Sequence, residues 1–115
     1  MTINEFKTKL IEEPKSIAFT DTMAVIEENY DFTPTAFTNG DCENEAGQNS
    51  GSCKLFSFAI AQDLTPEQTL ACFGAIYFEE VLGDPEGSGH QNIRNFMKNG
   101  FDGLTIHGTA LVAKA

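Results

Sequence analysis

The residues best suited to chemistry are Cys53 and His90, and each follows a polar, glycine-containing stretch. Cys53 comes after Gly47-Gln48-Asn49-Ser50-Gly51-Ser52, and Ser52 can cap a helix over Cys53 to Gln62. A thiol in the first turn of a helix meets unpaired N–H groups and the positive end of the helix dipole. Both lower its pKa and make the thiolate a better nucleophile, and Lys54 adds a neighbouring cation. His90 follows Asp84-Pro85-Glu86-Gly87-Ser88-Gly89 and opens a run of Gln91, Asn92, Arg94 and Asn95. Imidazole is the natural general base near neutral pH, and a guanidinium binds carboxylate or phosphate with two parallel hydrogen bonds. A Cys53/His90 pair would form the catalytic dyad of a hydrolase or acyl transferase, with Asn92 or Asn95 orienting the imidazole. The plainer alternatives are a small buried Cys53 at a helix start, a His90 that caps its helix, and an Arg94 that pairs with Asp84 or Glu86.

The second kind of chemistry is recognition without reaction. Asn39, Asn44, Gln48, Asn49, Gln91 and Asn92 carry amides that both donate and accept hydrogen bonds, and Lys54 and Arg94 add charge beside them. The binding set is therefore Asn39, Asn44, Gln48, Asn49, Lys54, Gln91, Asn92 and Arg94. It lies in two polar loops, Asn39–Ser52 and Asp84–Arg94, each leading into a helix. A third alternative is structural, with the amides satisfying the backbone of their own loops.

Metal and cofactor chemistry finds no support. Cys42, Cys53, Cys72, His90 and His107 lack the paired spacing of structural zinc ligands. Asp41-Cys42-Glu43-Asn44-Glu45 does not follow the calcium-loop pattern, and Asp84–Gly89 lacks the Lys of a phosphate loop. The expectation is no metal and no cofactor. Three cysteines at irregular spacing do not make a disulfide framework.

The elements that must position these residues read as mostly α, with α+β as the alternative. The expected form is one compact domain over 1–115, with about five helices and a small sheet of two or three strands. Thr2-x-x-Glu5 is a capping box, and Ile3, Phe6, Leu10 and Ile11 follow at helical spacing until Pro14. A second helix runs from about Phe19 to Tyr30, with Met23 and Ile26 on its apolar face. Thr65-Pro66-Glu67-Gln68 opens a helix expected to continue to Leu82, burying Leu70, Phe73, Tyr77 and Val81. His90 to Asn99 forms the last helix, with Ile93, Phe96 and Met97 inward and Gly100 as C-cap. Leu55, Phe56, Ala59 and Ile60 form the buried face of the third helix, although their alternation also suits a strand. Thr33–Thr38 and Leu104–His107 supply the sheet.

The net charge of −10 in 115 residues argues against nucleic acid and anionic membranes, because no stripe of Lys or Arg could neutralise phosphate. No apolar run approaches the ~20 residues of a membrane-spanning helix. Met1-Thr2-Ile3-Asn4-Glu5 is not a basic segment leading into an apolar one, so no cleavable secretory signal is expected. The expected product is a monomer that binds an unidentified protein or small molecule in the cytoplasm.

Several motifs in order carry a family resemblance. These are Phe37-Thr-Asn-Gly40, Asn44-x-Ala-Gly-Gln-Asn-Ser-Gly-Ser-Cys-Lys54, Leu64-Thr-x-x-Gln-Thr-Leu-Ala-Cys-Phe-Gly74, Val81-Leu82 and His90-Gln-Asn-Ile-Arg-Asn-Phe-Met97-x-x-Gly100. Together they resemble the HopJ type III effector family over roughly Asp21 to Leu111. One departure is Phe101, where family members carry Trp. The resemblance implies an effector-like protein and transfers no catalytic residues. Gly51 to Ser57 also echoes the nucleophile segment of papain-like cysteine proteases, although Lys54 stands where that family has Trp.

Overall fold

The computed structural model describes residues 1–114 and is mostly helical with two small sheets. Helix α1 (Ile3–Glu12) begins at the expected capping box: Glu5 N–H donates to Thr2 Oγ1 at 3.1 Å and Thr2 N–H to Glu5 Oε1 at 2.9 Å. A 3-10 turn at Pro14–Ser16 leads to α2 (Phe19–Asn29), where Asp21 reaches back to accept from Ala18 N–H. Strands β1 (Tyr30–Phe32), β2 (Phe37–Asn39) and β3 (Cys42–Asn44) follow. Then come α3 (Ser50–Ala61), α4 (Pro66–Ala71), a π-helical segment (Ile76–Val81), α5 (Gln91–Asn99), a 3-10 turn (Gly100–Gly103), β4 (Leu104–Ile106) and β5 (Leu111–Ala113).

The two sheets are one interrupted ribbon. β1 pairs antiparallel with β5 from Tyr30↔Ala113 to Phe32↔Leu111. β2 pairs with β4 from Phe37↔Ile106 to Asn39↔Leu104, so the register is the same on both sides of the gap. Across the gap Thr33 N–H still donates to Ala110 O, and His107 N–H to Ala36 O. Pro34, which has no N–H to give, lies between them. The ribbon ties the region after α2 to the C-terminal end, and β3 adds to β2 through the tight turn at Gly40-Asp41.

Helix α3 is the centre of the core. Cys53, Leu55, Phe56, Phe58 and Ala59 are all buried, so the helix is covered on most sides. That broad coverage explains why its sequence also suited a strand. Of the expected face Leu55, Phe56 and Ala59 are buried, but Ile60 is 50% exposed and Phe58, outside that face, is fully buried. Phe56 packs against Phe37, Phe73 and Phe96 at ring-centre distances of 6.2, 5.6 and 5.1 Å. Burying a Phe side chain stabilises by roughly 1.5–3 kcal/mol, so this cluster dominates the core.

Four expectations need correction. The helix opened by Thr65 does not run to Leu82. Gly74 adopts φ +63°, which ends α4, and the chain resumes as the π-helical segment. Met97 faces outward at 43% exposure. Asn39–Ser52 is not a structureless loop, because Cys42–Asn44 pairs with β2. Capping also differs: Asn49, not Ser52, sits at the N-cap of α3.

Gly74 fixes the approach of α4 to α2. A Cβ there would lie 2.8 Å from Ile17 O and 2.9 Å from Phe19 N, both backbone atoms. Gly74→Ala is expected to lower unfolding free energy by about 2 kcal/mol or more, through strain and overlap together. Urea denaturation measures this, and a change under roughly 0.5 kcal/mol would contradict the packing described.

Candidate functional site

The two polar loops meet through buried amides. Asn92 lies in the first turn of α5, Asn39 in β2 and Asn44 at the end of β3. Asn39 Nδ2 donates to Asn92 O at 2.7 Å and to Asn92 Oδ1 at 3.1 Å. Asn44 and Asn92 exchange amide hydrogen bonds at 3.2 and 3.1 Å. Asn49 Nδ2 then donates to Asn44 Oδ1 at 2.7 Å, which brings in the start of α3. Asn95 Nδ2 donates to Cys42 Sγ at 2.9 Å from the next turn of α5. Asn39, Asn44, Asn92 and Asn95 are all buried. Asn39 Oδ1 has no partner among the described residues, and turning that amide over would set oxygen against the two Asn92 oxygens.

Above this cluster opens a cleft of ≈ 630 Å³. Its floor includes Phe19, Phe73 and Ile76, and Phe19 stacks on Phe73 with ring centres 6.2 Å apart. Its rim carries Gln48, Asn49, Ser52, His90 and Gln91, with Glu43 on the β3 side. The N-termini of α3 and α5 both open on it. Asn49 and His90, the two N-cap residues, are left-handed at φ 50° and 56°, and neither side chain caps its own helix. Of the cleft-lining residues in these first turns, Ser52, Gln91 and Asn92 have backbone N–H groups with no partner among the described residues, whereas Ile93 N–H donates to His90 O. His90 Nε2 lies 3.3 Å from Glu80 Oε1, bridging α5 to the π-helical segment.

Six of the expected residues thus come together: Asn44, Gln48, Asn49, His90, Gln91 and Asn92. Asn39 stands behind the cleft as support. Arg94 turns away and staples its own loop, with Nε donating to Gly89 O at 2.6 Å and Nη1 to Pro85 O at 3.5 Å. It forms no ion pair with Asp84 or Glu86 among the described residues. Lys54 faces the opposite side of α3, 3.3 Å from Glu27 and 4.9 Å from the centre of the Phe32 ring.

Cys53 also points away from the cleft. It is 1% exposed, its Sγ donates to Thr35 O at 3.4 Å, and burial pushes its thiol pKa up. Position near a helix start does not activate this thiol, because desolvation by burial outweighs the polar contacts with Ser57 and Thr35. The expected Cys53/His90 pair therefore has only one member at the cleft. The cysteine that lines it is Cys42, which in the sequence was weighed only as a metal ligand or a disulfide partner. Phe19 and Phe73 were legible only as apolar helix positions, since nothing in their spacing separates a cleft floor from a helix interface, and Ile76 was not singled out. Among the described residues, no group of three His, Cys, Asp or Glu side chains could hold a metal ion.

The thiols give a direct check. Cys42 is half-buried at the cleft, whereas Cys53 and Cys72 are buried and burial pushes Cys72 up to about 12. Peptide mass spectrometry on the folded protein should show Cys42 alkylated first at every pH from neutral to mildly alkaline. Cys53 and Cys72 should follow only on unfolding, and fast reaction of Cys53 below pH ~8 would overturn this placement.

A family model described as HopJ type III effector protein matches residues 3–111. A crystal structure named as an unknown function protein, VPA0580, is 53% identical in sequence with a TM-score of 0.97. The match covers 99% of this chain and 95% of that one. No curated protein matches the chain.

Proposed function

The chain belongs to the HopJ type III effector family, and from that premise we propose that it is a binding protein whose cleft receives a small molecule or a segment of another protein. The carrying observation is the division of labour among the amides. The buried ones spend their hydrogen bonds on one another and fix the walls, while Gln48, Asn49 and Gln91 are exposed at the rim. Each of these three holds one amide atom in a local bond: Gln48 Oε1 accepts from Glu45 N–H, Asn49 Nδ2 donates to Asn44 Oδ1, and Gln91 Nε2 donates to Ser88 O. The other amide atom of each has no partner among the described residues. A volume of ≈ 630 Å³ falls within the roughly 300–1,000 Å³ of small-molecule sites. An apolar floor of stacked rings with polar donors at its edge suits a ligand that has a flat apolar part and a hydrogen-bond acceptor. The family description supports a setting inside a host cell, reached by type III export.

Ring-plus-amide fragments such as benzamide test this reading. In a titration followed by protein amide NMR shifts, Gln48, Asn49, Ser52 and Gln91 should move together at millimolar fragment. The reading fails if no fragment of a panel shifts these amides, or if the shifts concentrate elsewhere.

A further inference from the structure

We propose that the free edge of β3 docks an extended, basic peptide segment by strand addition. This rests on the binding reading above and names its partner class. β3 is the outer strand of the three-stranded sheet, whose order is β3-β2-β4. The hairpin turn holds two residues, Gly40 and Asp41, so Asn39 and Cys42 form its closing hydrogen-bonded pair. Hydrogen bonding alternates along an antiparallel ladder, so the N–H and C=O of Glu43 face outward, away from β2.

The side chains along this edge are of one sign. Asp41, Glu43 and Glu45 are exposed, whereas Cys42 and Asn44 turn inward. None of the three carboxylates forms an ion pair among the described residues. Beyond the edge lies a second cleft, of ≈ 420 Å³, where His107 Nε2 sits 2.7 Å from Thr38 Oγ1. Glu43, Asn44 and Gln48 line both clefts, so the β3 edge is the ridge between them. Among the described residues, no Lys or Arg lines either one.

A strand laid on that edge would pair its backbone with Glu43. Its side chains would alternate between the two sides, because successive residues of a strand point oppositely. One set enters the cleft floored by Phe19, Phe73 and Ile76, where the open N–H groups of α3 and α5 suit carbonyl oxygens. The other set meets the carboxylates of Glu43 and Glu45. Lys or Arg in the added strand is attracted there, and an acidic strand is repelled. Charges on an edge also hinder pairing between copies of the same chain, which leaves the edge free for a partner of opposite sign.

The test uses the full chain, isotope-labelled, titrated with blocked Lys-Val-Lys-Val-Lys and with the same peptide carrying Glu for Lys. The basic peptide should shift the Glu43 amide, bind more weakly as salt rises, and outbind the acidic one. A Glu43→Gln/Glu45→Gln variant should bind it about fivefold more weakly. Glu43→Pro removes the outward N–H together with the carboxylate, a backbone change that edge strands tolerate. It should abolish the complex, well beyond the fivefold loss of the Gln variant, while the spectrum stays that of the folded protein. Equal binding of both peptides, or no shift with either, overturns strand addition. Shifts confined to Gln91 and Ile93 with Glu43 unmoved overturn it too and leave the cleft reading intact. Failure of the ring-plus-amide fragments while the peptide still moves Glu43 counts against the cleft reading instead.

Discussion

The arrangement depends on one buried side chain, the amide of Asn92. It accepts from Asn39 and Asn44, donates to Asn44, and sits where its backbone carbonyl also accepts from Asn39. The residues it joins are 48 and 53 positions away in sequence. A buried donor left unpaired costs about 1–3 kcal/mol, so each of these amides can lie inside only with the others in place. That mutual requirement fixes α5 against the β2–β3 hairpin and opens both helix N-termini on one space. An apolar contact of the same area would hold the elements together without setting their rotation.

The Asn92 cluster is in turn placed by the ribbon. β1 and β2 run beside β5 and β4 in one register, and Asn39 ends that register next to Leu104. A slip of one residue would turn Asn39 to the other face and Phe37 out of the core, where it now packs on Phe56. The hydrophobic cluster around Phe56 therefore guards the polar one: the register that buries the ring also delivers the amide. The cleft lies where the two clusters meet, with aromatic carbon below and polar groups along the rim.

Much of this was legible from local chemistry. The capping boxes at Thr2 and Thr65 hold to the atom, because a cap needs only residues three apart. The turn-forming Asn, Gly and Ser of the two loops marked where the chain leaves its core elements, and the structure brings both loops to one cleft. What stayed hidden depends on distant partners. Cys42–Asn44 has no strand pattern of its own and is held by β2 and α5. The break at Gly74 answers the backbone of Ile17 and Phe19, which no window around Gly74 contains. Arg94 looked like a ligand anchor by type, but two of its five donors go to carbonyls of its own loop, at Gly89 and Pro85, and it does not line the main cleft. Cys53 looked activated by position along the helix, whereas its rotation about the helix axis buries it.

The most direct test of this account is a double-mutant cycle on unfolding free energy with Asn44→Ala, Asn92→Ala and the pair. Mutual dependence predicts that the double variant loses less than the sum of the single losses, by about 1 kcal/mol or more. Losses that simply add would mean the two amides contribute independently, and the cluster would no longer explain how the two loops come to form one site.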